Sequence, residues 1–295
     1  MATTILLYGR TGSGKTAQIG VLAEHVMKTL GKKTRVYTAD RGGLDTIQAY
    51  IDLGIIEVVE ILNTNPWLFL NKAVNGYVRD GGGKWVLDRA RNEAIGFYAF
   101  ESMRSMAAAL MIDMAQQGAR GVNIGGGSNV SFSVTGDGET LKVSGNNPAH
   151  YGAAQSRMLE DILQSQRLPA AFIMWTSGVS KDDDNVSSGK VLGPDVVGKA
   201  LTPVIAGEFN YTTRIDVIPA SSMPVRPERH LLYLGSHTDM NAGNAASLGN
   251  VRRPLDAPLK ETIIEPANIV TALAVLRDEG VKTATSAIKA RLNMT

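Results

Sequence analysis

Short apolar runs alternate along this chain with stretches in which apolar residues recur every three or four positions. The first run, Thr3 to Tyr8, reads as a buried strand. After it, Ile19, Leu22, Ala23, Val26 and Leu30 fall on one face of a helix that Gly31 stops. Thr34 to Ala39 and Ile55 to Leu62 read as strands, with a helix from Leu44 to about Leu53 between them. Pro66 to Val74 reads as a short helix, Asp80 to Gly83 as a turn, and Ala94 to Phe100 as a strongly apolar strand. A helix over Met103 to Gln117 places Met103, Met106, Ala107, Leu110 and Met114 on a packing face.

Beyond Gly118 the rhythm breaks. Residues 118–148 are rich in Gly, Asn and Ser, and Asn129 to Val134 can pair with Thr140 to Val143 across Gly136-Asp137-Gly138. The alternation resumes with a helix from about Tyr151 to Gln166 and a buried strand from Ala170 to Thr176. Residues 177–190, with Asp182-Asp183-Asp184, read as a mobile loop. Tyr211 to Pro219 and Arg229 to Gly235 read as antiparallel strands, and the chain ends in helices expected at 266–278 and 282–292. Strands alternating with helices predict an α/β fold, a mostly parallel sheet flanked by helices, whose ligands bind at the carboxyl ends of the strands. The expected division is a domain over 1–255, carrying the 118–148 hairpin as an insertion, and a helical extension over 256–295.

Against that frame one motif carries chemistry. Gly9-Arg10-Thr11-Gly12-Ser13-Gly14-Lys15-Thr16 is a full G-x-x-x-x-G-K-[ST] phosphate loop placed between a strand and a helix. Glycines let successive N–H groups face a phosphate, and the next helix begins with its positive dipole end there. Gly9, Arg10, Thr11, Gly12, Ser13, Gly14, Lys15, Thr16 and Ala17 are therefore the candidate nucleotide-binding residues. Lys15 is expected to reach the β- and γ-phosphates, and Thr16 to place a hydroxyl on Mg²⁺. Guanine recognition by Asn/Thr-Lys-x-Asp has no match, since Asn71-Lys72 continues as Ala73-Val74. ATP is the expected nucleotide by elimination.

Such a site also needs an acid at a strand end for the metal shell and a carboxylate to orient water. Glu101, closing the run Ile95 to Phe100, is the candidate metal acid, with Asp88 after Trp85-Val86-Leu87 as its competitor. Asp40 is the candidate for water, with a turn cap beside Gly42 as the other reading. Thr176 and Ser177 are hydroxyls that can sense the γ-phosphate or serve as caps. Arg252 and Arg253 are candidates for a finger reaching a neighbouring subunit's nucleotide, or form a solvated turn before Pro254. His25, His150, His230 and His237 show no metal-ligand spacing, so no metal beyond Mg²⁺ is implied.

Composition narrows the partners only slightly. The 295 residues carry 30 basic and 28 acidic side chains, a net charge of +2, which leaves any nucleic-acid contact to local loops. There is no cysteine, which excludes disulfides and thiolate metal sites. No long apolar stretch or signal pattern appears, so a soluble, cytoplasmic protein without a membrane partner is expected.

The order of parts resembles phage-encoded P-loop ATPases of the RecA superfamily, including those of single-strand annealing and recombination. It is carried by the Gly-Lys-Thr loop, an acid-ended second strand, an apolar strand ending Glu101-Ser102, Leu168-Pro169-Ala170 entering another strand, Gly193-Pro194-Asp195-Val196-Val197-Gly198-Lys199-Ala200, and Arg252-Arg253-Pro254. The resemblance covers about residues 3–255. It implies ATP hydrolysis with Mg²⁺ and a homo-oligomer with nucleotide sites between subunits. It also implies single-stranded DNA as partner, contacted by Gly121 to Asn147 and Ser177 to Gly198. Glu101 departs from the Asp usual at its position. The two loops offer few cations, namely Lys142, Lys181 and Lys190, and one aromatic residue, Phe132. A nucleotide-gated assembly protein with slow hydrolysis, or a small-molecule phosphotransferase, are the other classes the residues allow.

Overall fold

The computed structural model describes residues 2–40, 42–61, 65–119, 130–136, 139–145, 148–183, 190–196, 201–222, 225–234, 237–239, 245–247, 250–251, 263–279, 285–286 and 289. Every residue of β1 (Thr3–Tyr8) is buried, because both faces of the strand are covered. Leu6 packs into one apolar layer and Ile5 and Leu7 into the other. Each such aliphatic side chain contributes about 1.5–3 kcal/mol by burial. Helix α1 (Lys15–Leu30) buries Ile19, Leu22, Ala23 and Val26 as expected and ends at Gly31 in the left-handed conformation, φ 64°. Leu30, at its last turn, is exposed instead.

The chain continues through β2 (Lys33–Thr38), a 3-10 turn at Leu44–Ile47, α2 (Gln48–Asp52), β3 (Ile56–Glu60) and α3 (Pro66–Val74). A small hairpin, β4 (Val78–Arg79) and β5 (Trp85–Val86), precedes α4 (Arg89–Glu93), β6 (Ile95–Glu101) and α5 (Met103–Ala119). Then come β7 (Val130–Gly136), β8 (Glu139–Gly145), α6 (Pro148–Ser165), β9 (Phe172–Asp183), β10 (Lys190–Asp195), α7 (Thr202–Ile205) and β11 (Tyr211–Ile218). Short strands β12 (Ser221–Ser222) and β13 (Val225–Arg226) lead to β14 (Arg229–Leu234). The last elements are β15 (His237–Asp239), β16 (Ala245–Ser247), β17 (Asn250–Val251), β18 (Ile263–Ile264) and α8 (Ile269–Leu273), which runs on into a π-helical turn over Ala274–Glu279.

The fold is α/β. Its main sheet holds 12 strands among the described residues. Six are parallel neighbours in the order β3-β2-β6-β9-β1-β11, and β14 and β18 extend that edge antiparallel. Helices α3, α5 and α6 pack one face, with Phe69, Met106, Leu110 and Met158 in the layer. Helices α1 and α8 cover the other, with Leu22, Val26, Ile269 and Leu273. Parallel strands bring their carboxyl ends to one edge, and the register pairs Thr38 with Glu101 and Tyr8 with Ser177.

Several expectations need correction. Residues 177–183 are not a mobile loop: β9 runs to Asp183 and pairs antiparallel with β10, which begins at Lys190. The acidic run masks a backbone ladder in which Val179 packs on Leu192 and Gly178 lets Asp195 approach closely. The helix expected at Leu44 opens as a 3-10 turn, and that expected at 266–278 starts at Ile269, capped by the Asn268 side chain. The hairpin in 118–148 forms as β7 and β8, which among the described residues pair only with each other. Its connecting residues, and most of 282–292, lie outside the described residues.

Candidate functional site

Residues 9–14 link β1 to α1, and their backbone needs glycine for two distinct reasons. A Cβ on Gly9 would stand 2.1 Å from the Ile215 carbonyl oxygen, so the loop passes β11 too closely for any side chain. Gly14 caps α1 with φ 96°, a conformation that L side chains rarely adopt. The first-turn N–H groups of α1 have no partner within the helix, and its dipole adds positive potential at the same point.

Lys15 Nζ donates to the carbonyl oxygens of Gly9, at 3.0 Å, and Arg10, at 2.9 Å, folding back across the loop. Burial pushes its ammonium below the usual lysine range, and the Glu101 carboxylate opposes that shift. Thr16 Oγ1 donates to Glu101 Oε1 at 2.7 Å. Glu101 is 7% exposed, and its Oε2 has no hydrogen-bond partner among the described residues. Burial raises its carboxyl above the usual range; Thr16 and Lys15 pull it back and Asp40 adds to the rise. A buried carboxylate oxygen without a partner among the described residues, beside a threonine hydroxyl, offers two oxygen donors suited to a hard divalent cation.

These groups open onto a cleft of about 980 Å³, large enough for a nucleotide. Asp40, Thr46, Ser102, Arg104 and Ile112 line it, together with His230, which lies beside Gly14. Asp40 is exposed, and its Oδ1 accepts from Gly42 N at 3.0 Å, so the carboxylate both caps the turn and borders the cleft. The competitor Asp88 is elsewhere: its Oδ1 accepts from Arg91 N at 2.9 Å as the cap of α4, following a hairpin outside the main sheet. Ser177 donates to the Asp195 carbonyl at 2.6 Å, and Thr176 is fully buried. Arg252 and Arg253 lie outside the described residues. His25 packs edge-on against Phe172, in keeping with a packing role.

Two cleft residues escaped the sequence reading. His230 places Nδ1 3.0 Å from Ser13 O and Nε2 3.0 Å from Glu228 Oε1. Arg104 follows Glu101 into α5 and pairs at 3.4 Å with Asp195. Neither belongs to a motif; the pattern gives both as ordinary polar positions. Among the described residues no group of three His, Cys, Asp or Glu side chains is arranged to hold a metal, and no helix is long and apolar enough to cross a membrane.

No protein-family model matches the chain, and no curated protein matches it. It is similar to solved structures at low identity. One is a KaiC-like protein from the archaeon Pyrococcus horikoshii, at 12% identity and a TM-score of 0.38, covering 78% of this chain and 77% of that one. Another is the RadB recombinase, at 12% identity and a TM-score of 0.41, covering 78% of this chain and 79% of that one.

Proposed function

We propose that this protein is a Mg²⁺-dependent P-loop ATPase acting on DNA, in recombination, single-strand annealing, repair or replication. The observation that carries the ATPase reading is the meeting of Lys15, Thr16 and Glu101 at the carboxyl edge of a parallel sheet, under a glycine-framed helix N-terminus. In this reading Lys15 leaves the Gly9 and Arg10 carbonyls for the β- and γ-phosphates, exchanging two neutral acceptors for a charged one. Loop amides from Gly12 to Thr16 cradle the β-phosphate. Thr16 and Glu101 hold the metal, which when bound neutralises charge between the outer phosphates. Asp40, at the cleft wall, orients the attacking water.

The DNA part of the proposal rests on the motif resemblance. The β9–β10 hairpin, within Ser177 to Gly198, meets the cleft at Gly178 and is one candidate DNA contact; Gly121 to Asn147 is the other. Arg252 is the candidate finger for a neighbouring subunit in a homo-oligomer, and a phage-type origin belongs to the same resemblance. A second reading, a nucleotide-gated assembly protein with slow turnover, draws on Glu101 standing where Asp is usual and on the few cations of the two loops.

The deciding experiment is ATP hydrolysis by the purified protein with and without single-stranded DNA, with Lys15→Ala as blank. Turnover that DNA stimulates and Lys15→Ala abolishes supports the first reading. ATP binding without turnover or DNA response supports the second, and unchanged activity in Lys15→Ala overturns the site assignment.

A further inference from the structure

His230 stands on β14, two strands from β1 across β11, and its ring crosses over to the phosphate loop. Ring atom Nδ1 lies 3.0 Å from the carbonyl oxygen of Ser13 and 3.5 Å from the point where a Gly14 Cβ would be. A carbonyl oxygen only accepts, so this contact fixes a hydrogen on Nδ1. The other nitrogen, Nε2, faces Glu228 Oε1 at 3.0 Å, which sets the ring's orientation. A doubly protonated ring donates to both partners, and the neutral ring with hydrogen on Nδ1 keeps the Ser13 bond.

The backbone beneath the ring is also held. Val217 of β11 pairs with His230, and the His230 carbonyl accepts from Ala267 N at 2.9 Å. Ala267 O in turn accepts from Gln18 Nε2 of α1 at 3.0 Å. The imidazole thus projects from a framework tied on one side to β11 and on the other, through Ala267 and Gln18, to the helix that follows the phosphate loop.

The Ser13–Gly14 peptide is planar and trans, so its C=O and N–H point in opposite directions. Whatever fixes the Ser13 carbonyl therefore fixes the Gly14 amide. We propose that His230 is a positioning residue of the nucleotide site: by holding the Ser13 carbonyl at its ring, it fixes the direction of the Gly14 N–H that meets the phosphates. This rests on the reading of the cleft as an ATP site and adds to it a residue outside the loop motif. The gain is in affinity, because an amide already oriented loses less freedom when the phosphate arrives.

The test compares Mg²⁺-ATP affinity and turnover in wild type, His230→Leu, His230→Asn and Lys15→Ala, with thermal melting of each nucleotide-free protein as the folding control. Asparagine carries its amide nitrogen near the position of Nδ1 and can still donate to Ser13 O. His230→Leu is expected to weaken ATP binding about tenfold while leaving turnover at saturating ATP within about twofold, and His230→Asn to recover most of the affinity. Equal ATP affinity in wild type and His230→Leu overturns the proposal while leaving the ATP reading intact. An equal loss in both His230 variants with unchanged melting also overturns it, since a donor at Nδ1 then does not matter. Should His230→Leu fail to fold, His230→Asn and Glu228→Gln decide: both must bind ATP within about threefold of wild type, and a larger loss in either overturns the proposal. Wild type binding ATP no better than Lys15→Ala removes the ATP reading itself.

Discussion

Thr16 and Glu101, 85 positions apart in sequence, are joined by a 2.7 Å hydrogen bond from the threonine hydroxyl to Glu101 Oε1. The bond ties the first turn of α1 to the end of β6 and leaves Oε2 buried with no partner among the described residues. A buried carboxyl whose second oxygen is unsatisfied is held at a cost in stability, which a cation in that place would relieve.

That relationship fixes a pH dependence. The folded carboxyl of Glu101 lies above its ordinary value of 4.5, chiefly through burial. Between the two values the folded state binds more protons than the unfolded, so stability falls as pH rises through that window. Glu101→Gln removes the effect. Nucleotide-free Glu101→Gln is expected to melt higher than wild type at pH 7, with the difference shrinking towards pH 4, and to lose about a hundredfold in Mg²⁺-dependent ATP turnover. Thermal melts across pH 4–8, alongside steady-state hydrolysis, check both halves.

Asp40 and Asp88 separate by variant. Asp40→Asn keeps an oxygen for Gly42 N and removes the charge beside the cleft, so melting is expected to hold while turnover drops about 10²-fold or more. Asp88→Ala removes the cap of α4, which is expected to destabilise by about 1 kcal/mol and to leave turnover unchanged. Loss of turnover in Asp88→Ala with melting unchanged would put Asp88 in place of Glu101 as the metal-site acid.

Gly9→Ala tests the close approach of the loop to β11. The added Cβ meets a backbone oxygen at 2.1 Å, and a strand bonded on both sides has no room to yield. Destabilisation of about 2–3 kcal/mol by chemical denaturation is expected, with weaker ATP binding in whatever remains folded.

How much of this was legible in sequence depends on the range of the interactions. Helix Pro66–Val74 was readable to the residue because its start is local: Asn65 Oδ1 accepts from Leu68 N at 3.3 Å and Pro66 presets the first turn. The phosphate loop was readable for the same reason. The full length of β9 was not, because Asp182 and Asp183 look like solvated loop residues until β10 supplies the ladder. Arg35 is fully buried in β2, pairing with Glu57 and donating to Asn92 Oδ1 at 2.8 Å, and no local pattern names those partners. His230 reaches Ser13 across 217 positions, and only the order β1-β11-β14 brings them together.

The same reach across the chain makes Gln18 a test of whether the segment after β18 belongs to the nucleotide-binding domain. Its side chain is buried on α1; Nε2 donates to Ala267 O at 3.0 Å, and Oε1 accepts from Ile269 N at 2.7 Å. Ile269, Ala272 and Leu273 of α8 then join the core layer that covers α1. Leucine in place of Gln18 keeps the volume and strands the partly buried Ala267 carbonyl and the buried Ile269 N–H. Gln18→Leu is expected to destabilise by about 2–3 kcal/mol. Exchange of the Ile269 amide should accelerate more than that of β1, because the lost bonds anchor α8 rather than the strand. Uniform acceleration across both would show that α8 unfolds only with the sheet. Selective acceleration accompanied by weaker ATP binding would show that α8 supports the helix under the phosphate loop and can loosen by itself.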